Sequence, residues 1–289
     1  MGDLLSSIKD NKELFMPECN TIMQSLISLQ GQIDSEDTLN RAIFAAFEDV
    51  VEILKGDFAV YSDPIFTRVY EAAARKIDVQ IIDEIDTQKH QDTSSHKYVK
   101  VKLDLKIDGI KNIVLNTDTF DQKVQATALL SAMAENMGMA FGKYIDYMFP
   151  LIEELIIIKN SKEMRGNMID CCKFMVLDGT TPEHSHSILT RTYPLLKKAL
   201  VEAIRAKDHS EVSSITEDFS LSMPFMNPEM TASLPEMLTT VLGLVKSLTN
   251  EIEKIYAEKE MDDDLTEEMN NETEEVEEVL FYLFSHWSM

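Results

Sequence analysis

A nine-residue pattern occurs twice in this chain and constrains its fold more than any other feature. The two copies share two phenylalanines, a tyrosine and an aspartate at identical spacing: Phe58-x-x-Tyr61-x-Asp63-x-x-Phe66 and Phe141-x-x-Tyr144-x-Asp146-x-x-Phe149. An internal repeat of this kind indicates an array of similar supersecondary units rather than one irregular domain.

Helical periodicity dominates the rest of the chain. Apolar residues recur with the spacing of one helix face in several stretches, for example from Ile43 to Leu54, from Ile145 to Ile156 and from Leu238 to Ile255. Gly (9) and Pro (8) are scarce, which disfavours a loop-rich or many-stranded all-β fold. The pattern predicts helices over residues 13–30, 36–55, 58–77, 118–138, 141–158, 161–178, 186–206, 209–225, 229–258 and 273–286.

A proline recurs at matched positions of the predicted helices. Pro150, Pro194 and Pro235 each follow an aromatic residue or a leucine, and they step by 44 and then 41 residues. A helix pair that repeats every 40–47 residues or so is the period of HEAT and armadillo arrays. Antiparallel helices in an ordinary bundle can produce such similarity by chance, so that alternative stays open. The matched positions favour an all-α fold, an α-solenoid of HEAT-type antiparallel helix pairs.

One segment, near 97–116, breaks the helical pattern. Apolar and charged residues alternate from Val99 to Asp108, and this period of two is typical of a β-strand. Asp108-Gly109 supplies a turn, after which residues 110–115 return as a second strand. The sequence predicts a β-hairpin inserted between helical repeats. Its basic cluster is either the solvated face of the hairpin, which we favour, or a site for an acidic partner: Lys97, Lys100, Lys102, Lys106 and Lys111.

The charge balance limits the classes of partner. The chain has 27 Lys+Arg against 51 Asp+Glu, a formal net charge of −24. Such a chain is repelled by nucleic-acid phosphates and by anionic membrane surfaces, so we expect no direct binding to nucleic acid. The longest apolar stretches are too short to span a bilayer, so no membrane insertion is expected. Basic proteins or basic peptide segments are the expected partners.

The acids concentrate toward the C-terminus. Residues 258–278 hold twelve acids and a single base, Lys259, and like charges in such a run repel one another. A helix predicted after this run has no partner that follows it, so the sequence is expected to be a piece of a longer array. The predicted organisation is helices over 1–84, a loop and hairpin over 85–116, helix pairs over 117–259, an acidic linker over 260–271 and a helix of a truncated repeat over 272–289.

Catalytic signatures are missing from the sequence. It has no Gly-rich phosphate loop, no Gly-x-Ser-x-Gly, no His-Glu-x-x-His and no Cys-x-x-Cys, so we predict no enzyme, no catalytic residue and no cofactor. Cys171, Cys172, His184 and His186 are metal-ligand types, but adjacent cysteines seldom reach one ion together, and the histidines are predicted in a loop opened by Pro182. No metal site is predicted. The two cysteines are expected on or beside the core face of their helix.

Acids on the second helix of each predicted pair are the candidate binding residues. In a solenoid of helix pairs, one helix of each pair lines the concave face, where binding occurs. Carboxylates there would hold Lys or Arg side chains of an extended basic peptide through charge-assisted hydrogen bonds. For each acid the alternative is an ordinary solvated face. The candidate cargo-binding residues are Asp78, Glu153, Glu154, Glu202, Glu251 and Glu253.

These residues resemble a known family. The run from Thr117 to Ile158, which contains Phe141-x-x-Tyr144 and Phe149-Pro150-Leu151-Ile152, is similar to a HEAT repeat of the β-karyopherins. The helix pair over 161–206 and the long helix over 229–258, with its acidic continuation, are similar to the importin-β3, importin-5 and karyopherin-121 type. No ladder of aromatic and acidic residues matches the family, so no cargo-binding residue is carried over by position.

The resemblance implies a function. It implies a central to C-terminal fragment of a nuclear import receptor that shuttles between cytoplasm and nucleus. Such a receptor binds basic cargo carrying nuclear localisation signals, contacts nucleoporins, and releases its cargo when the GTP form of Ran binds. The alternative is a HEAT-repeat scaffold or regulatory subunit of a multiprotein complex.

Overall fold

A computed structural model describes most of the 289 residues: 12–35, 37–76, 79–83, 98–105, 109–158, 161–178, 181–206 and 208–258. The chain divides into two compact units, residues 1–137 and 138–289. The boundaries predicted at 84, 116 and 259 do not coincide with this division, and they stay a prediction. The linker over 260–271 and the helix over 273–286 lie outside the described residues.

The described helices of the first unit are α1 (Lys12–Gln32), α2 (Leu39–Leu54), α3 (Ser62–Ala74) and α4 (Thr117–Met137). A 3₁₀ helix over Lys55–Val60 joins α2 to α3. Helix α4 packs against both α2 and α3, although 42 residues separate α3 from α4 in sequence. The apolar spacing that predicts α2 places its large side chains in the core between these helices: Ile43, Phe44, Phe47, Val50, Val51 and Leu54 are buried.

The described residues between α3 and α4 form three strands: β1 (Val79–Asp83), β2 (Tyr98–Leu105) and β3 (Gly109–Asn116). They form an antiparallel sheet in the order β1-β3-β2, with Val99 opposite Leu115 in the β2–β3 pair. The alternation in the sequence predicts a two-stranded hairpin near 97–116, whereas β1 makes the sheet three-stranded. Strand β1 is only five residues long and contains adjacent isoleucines, so it has no clear period of two.

The described helices of the second unit are α5 (Ile145–Leu155), α6 (Lys162–Leu177), α7 (Pro182–Ala206), α8 (His209–Ser222) and α9 (Pro228–Glu258). A 3₁₀ helix over Gly138–Tyr144 precedes α5, and another over Met223–Phe225 follows α8. Helices α6, α7 and α8 pack against one another, and α9 packs against α7. No helix among the described residues combines the length and the apolar character needed to cross a membrane.

The start of α7 corrects one prediction. His184 and His186 lie in the first turns of α7 and not in a loop. Thr181 Oγ1 accepts a hydrogen bond from the His184 backbone N–H at 3.1 Å, and Pro182 occupies the first helical position. Both residues favour a helix start, because the hydroxyl satisfies a free N–H and the proline ring presets the helical φ angle. The predicted loop at Pro182 is therefore wrong, because the proline begins the helix.

Candidate functional site

Helices α5, α7 and α9 lie side by side in the second unit, and we call them the second-helix layer. The Arg191 guanidinium of α7 lies 3.3 Å from the ring centroid of Phe149 on α5 and 3.6 Å from the Asp146 carboxylate. On the other side of α7, Lys197 lies 3.8 Å from the Glu236 carboxylate of α9. These ion pairs are exposed, so each contributes only about 0–1 kcal/mol. They show, however, that several acids of this layer already have a cation nearby.

Tyr193, the aromatic residue before Pro194, connects α7 to its neighbours. Its hydroxyl donates a hydrogen bond to the Met230 carbonyl of α9 at 3.2 Å and also contacts Ser233 Oγ. Its ring meets Phe219 of α8 edge to face, with centroids 5.4 Å apart. Pro194, which follows it, is exposed. Of this repeated Tyr-Pro pair, therefore, the tyrosine holds the helices together and the proline lies on the surface.

A cleft of about 370 Å³ lies between the end of α5 and the C-terminal half of α7. Its walls are mostly apolar, with three consecutive isoleucines, Ile156 to Ile158, on one side. On the other side, Ala199, Ala203 and Ala206 share one face of α7, where their small side chains leave space. Glu202 and Arg205 stand at the cleft and form an ion pair at 2.9 Å.

Arg165 of α6 organises the floor of this cleft. Its Nη1 donates to the Ile158 carbonyl at 2.8 Å, and its Nη2 donates to Glu211 Oε2 at 2.6 Å. The Nε also bonds the Glu211 carboxylate, so the contact is bidentate. The hydrogen bonds with Glu211 raise the pKa of Arg165. Because Arg165 bonds both the Ile158 carbonyl and Glu211, it joins the end of α5 to the start of α8.

The structure places three of the six predicted cargo-binding acids in one region. Glu153 and Glu154 are exposed at the end of α5, and Glu153 has no ion-pair partner among the described residues. Glu202 lies across the cleft from the residues that directly follow them. Glu251 and Glu253 belong to α9, but their side chains are outside the described residues, as is the whole of Asp78. Whether these acids bind cargo stays a prediction.

Sequence reasoning missed a charge cluster between α6 and α8. The Lys173 amino group lies 3.3 Å from Asp170, 3.7 Å from Glu217 and 3.9 Å from Asp218. Burial would lower the pKa of Lys173, but the three carboxylates raise it above its usual value. The adjacent acids Glu217-Asp218, facing one lysine 44 residues earlier, were the available signal, yet a sequence alone does not show which helices meet.

Asp218 is the most unusual member of this cluster. Its side chain is completely buried, and neither carboxylate oxygen has a hydrogen-bond partner among the described residues. Burial raises the pKa of Asp218 well above its usual value, while the Lys173 ammonium opposes that shift. A buried carboxylate without hydrogen bonds is costly, so the protonated form is favoured.

The cysteines and histidines that share metal-ligand chemistry do not form one group. Cys171 and Cys172 are fully buried on α6, as predicted, and burial raises the pKa of both thiols. His186 Nδ1 lies 2.8 Å from the Phe225 carbonyl, which ties α7 to the 3₁₀ helix after α8. Within the described ranges, no three His, Cys, Asp or Glu side chains are arranged to hold a metal ion.

The helix pairs of this chain recur in solved structures. The karyopherin Kap121p, bound to the extreme C-terminus of the protein phosphatase Cdc14p, superposes on 95% of this chain with a TM-score of 0.65 and 14% identity. The chain has the fold of a karyopherin. Kap121p bound to Nup53p matches 95% of the chain with a TM-score of 0.66 and 15% identity, and Kap121p on its own matches 95% with a TM-score of 0.61 and 16% identity.

These matches confirm the predicted all-α fold of paired helices. The chain spans only about a quarter of the length of the solved structures, 25% for the Nup53p complex and 26% for the Cdc14p complex. No protein-family model matches the sequence. The likeness to karyopherins is therefore one of fold, and the function requires its own argument.

Proposed function

We propose that this chain is part of an importin-β-family nuclear import receptor and that it binds basic segments of cargo proteins. The shared fold carries the proposal, because Kap121p structures with this fold are bound to Pho4p, Ste12p and Nup53p. The net charge of −24 supports a basic partner, since it raises the rate and the specificity of binding to cationic segments. In this proposal the chain is a binding protein and not an enzyme.

The end of α5 is the surface that we propose for cargo. Glu153 and Glu154 are adjacent and exposed, and the cleft beside them offers apolar walls together with the Glu202 carboxylate. An extended basic peptide could place its ammonium or guanidinium groups on these acids. Glu251, Glu253 and Asp78 stay further candidate cargo-binding acids in this proposal.

The complete receptor has further partners in this proposal. We propose that it shuttles between cytoplasm and nucleus, contacts nucleoporins, and releases its cargo when Ran in its GTP form binds. The resemblance of residues 117–289 to the β-karyopherins supports these steps. A pull-down of the full-length receptor with GTP-loaded Ran, with GDP-loaded Ran as the control, tests the release step separately from cargo binding.

Charge reversal at the end of α5 tests the cargo surface. We expect Glu153→Lys combined with Glu154→Lys to weaken binding of a Lys-rich localisation peptide at least about tenfold, roughly 1.4 kcal/mol, in isothermal titration calorimetry. Raising the salt concentration toward about 0.5 M should weaken binding to the wild type too, because the Debye length shortens. The measurement belongs on the full-length receptor, since this chain spans only part of such a protein.

A matched control separates a local site from a general charge effect. Glu52 on α2 and Glu163 on α6 are also exposed, and reversing both to lysine changes the net charge by the same amount. The proposal predicts a much smaller loss of affinity for this control. Equal losses in the two double variants would refute the site at α5. Unchanged affinity in both variants and at high salt would refute the electrostatic mechanism and favour a scaffold subunit.

A further inference from the structure

Helix α7 carries a row of cations along its exposed side. Arg191, Lys198 and Arg205 follow one another at intervals of seven residues, and all three are exposed. Seven residues make almost two turns of an α-helix, so these side chains leave α7 in nearly the same direction, about 10.5 Å apart. Such a row is unexpected in a chain with a net charge of −24, and binding of cargo through acids alone does not explain it.

Helix α5 carries a row of acids on its own exposed side. Asp146 and Glu153 are also seven residues apart, and both are exposed. The Arg191 guanidinium lies over the Phe149 ring, which shows which side of α5 faces α7. Glu153 lies about 40° around the helix axis from Phe149, whereas Glu154 lies about 140° away. Of the two adjacent acids at the end of α5, Glu153 is therefore the one that borders α7.

The two rows form an ion pair at their first positions and not at their second. The Arg191 guanidinium lies 3.6 Å from the Asp146 carboxylate. Helices α5 and α7 run in the same direction, because the start of α5 contacts Arg191 and the end of α5 lines a cleft with the C-terminal half of α7. Seven residues further along both helices, Glu153 and Lys198 have no ion-pair partner among the described residues. An acid and a cation on neighbouring helices are thus both available to a ligand.

We infer that Glu153 and Lys198 bind opposite charges of one cargo segment, so that this surface selects a segment with acidic as well as basic side chains. The Glu153 carboxylate accepts hydrogen bonds from a lysine or arginine of the segment, and the Lys198 ammonium donates to a glutamate or aspartate. Arg205, which now pairs with Glu202 of its own helix, offers a second cation beyond Lys198. The inference rests on the proposed cargo binding and narrows the class of cargo.

The distance between the helices sets the spacing of the two charges in the segment. Packed helices lie about 8–10 Å apart. An extended chain crosses this distance in about three residues. A segment that crosses from α5 to α7 therefore needs its acidic residue about three positions from its basic residue.

The net charge of the chain gives the inference a sign that an experiment can check. The field of a chain with a charge of −24 repels acids, so glutamates in a cargo peptide should weaken binding if only the overall charge matters. A gain in affinity from glutamates requires cations at the binding surface. Because exposed ion pairs are individually weak, we expect a gain of about threefold and not of orders of magnitude.

Two peptides with the same block of lysines test the inference by isothermal titration calorimetry on the full-length receptor. About three positions after the lysines, one peptide carries glutamates and the other carries glutamines. We expect the peptide with glutamates to bind the wild type at least about threefold more tightly. Lys198→Glu should reverse this order, because it repels the glutamates and adds a carboxylate for the lysines.

Lys76→Glu is the matched control, since Lys76 is exposed in the first unit and its substitution changes the net charge by the same amount. This control should leave the order of the two peptides unchanged. Equal or weaker binding of the peptide with glutamates to the wild type would overturn the inference and leave cargo binding intact, as would equal effects of the two variants. If neither peptide bound the wild type, the proposed cargo binding would be refuted, and the inference with it.

Discussion

The two copies of the aromatic motif, in residues 55–66 and 138–149, adopt the same backbone course with different side chains around it. Each begins at a residue with positive φ, Lys55 at 52° and Gly138 at 54°, three positions before the first phenylalanine. Both copies form a 3₁₀ helix from this residue onward, and the tyrosine directly before the following α-helix has nearly the same dihedral angles, φ −105° at Tyr61 and −101° at Tyr144. The motif therefore encodes a local structure, a tight turn that leads into a helix.

The aromatic contacts inside the two copies also agree. Phe58 meets Tyr61 edge to face at 6.3 Å and 63°, and Phe141 meets Tyr144 at 5.6 Å and 64°. The last phenylalanine differs between the copies. Phe66 stacks on Tyr70 of its own helix, whereas the Phe149 ring receives the Arg191 guanidinium from a neighbouring helix. The Phe–Tyr contact is therefore common to both copies, whereas the surroundings of the last phenylalanine depend on which helix lies beside it.

Lys123 in the first unit and Asp218 in the second are both buried, but they differ in their hydrogen bonds. In the first unit, Lys123 is buried and donates a hydrogen bond to the Arg75 carbonyl at 3.0 Å. In the second unit, Asp218 is buried 3.9 Å from the Lys173 amino group and has no hydrogen bond to any residue in the described part of the chain. A hydrogen-bonded buried charge stabilises one arrangement of the chain, whereas a buried carboxyl with a raised pKa makes the stability depend on pH.

The largest expected effect tests whether the two motif copies are equivalent. Both first phenylalanines are fully buried, so Phe58→Ala and Phe141→Ala should each lower the free energy of unfolding by about 3–5 kcal/mol. Urea denaturation measures both. Val60→Ala serves as the control, because Val60 is 78% exposed and should change stability by less than about 0.5 kcal/mol. A loss below about 1 kcal/mol for only one phenylalanine would show that the copies are not equivalent.

The buried carboxyl should produce the next largest effect. The pKa of Asp218 is raised on folding, so the native state holds its proton more tightly than the unfolded state does. Its contribution to stability is full below the ordinary carboxyl pKa and is lost as the pH rises through the raised value. The slope over that window is at most about 1.4 kcal/mol per pH unit. Asp218→Asn should remove this dependence of the unfolding free energy on pH, as measured by urea denaturation from pH 4 upward.

Lys173→Met provides a second test of the pH dependence that Asp218 causes. Removing the ammonium that opposes the shift should extend the pH-dependent window of the Lys173→Met protein to higher pH. The pH dependence would be assigned to other groups if wild type and Asp218→Asn had parallel profiles.

Substitutions at the two residues with positive φ, Lys55 and Gly138, should change the free energy of unfolding by smaller amounts and in opposite directions. Lys55 adopts a backbone conformation that favours glycine, so Lys55→Gly should raise the free energy of unfolding by about 1 kcal/mol. Gly138→Ala places a Cβ at the same strained position and should lower it by about the same amount. Thermal denaturation of both variants checks the pair. Changes of the same sign would mean that the two turns are not equivalent.

The smallest effect concerns the difference between the two copies. Arg191→Met removes the cation above Phe149 but keeps much of the side-chain volume, so a loss of about 0.5–1 kcal/mol is expected. A double-mutant cycle with Phe149→Leu isolates the contact. Phe66→Leu should show no coupling to Arg191→Met, since its aromatic partner is Tyr70.

The sequence was sufficient for the local structure. A helix buries residues three and four apart, so apolar spacing alone located α2, α5 and α6 to within a few residues. The proline step and the repeated aromatic motif then pointed to paired helices, and the match to Kap121p confirms this fold. Strand β1 escaped because its short segment lacks a clear period of two.

The tertiary structure decided which charges meet. The Lys173 cluster joins residues about 45 positions apart, and the Arg165–Glu211 pair spans 46 positions, so no local pattern could have revealed either. For the same reason, helix order predicts that Glu153, Glu154 and Glu202 belong to one layer, but it does not predict the cleft, whose walls come from the end of α5 and from α7. Periodicity is a property of neighbouring residues, whereas burial and ionisation depend on what the rest of the fold brings beside a side chain.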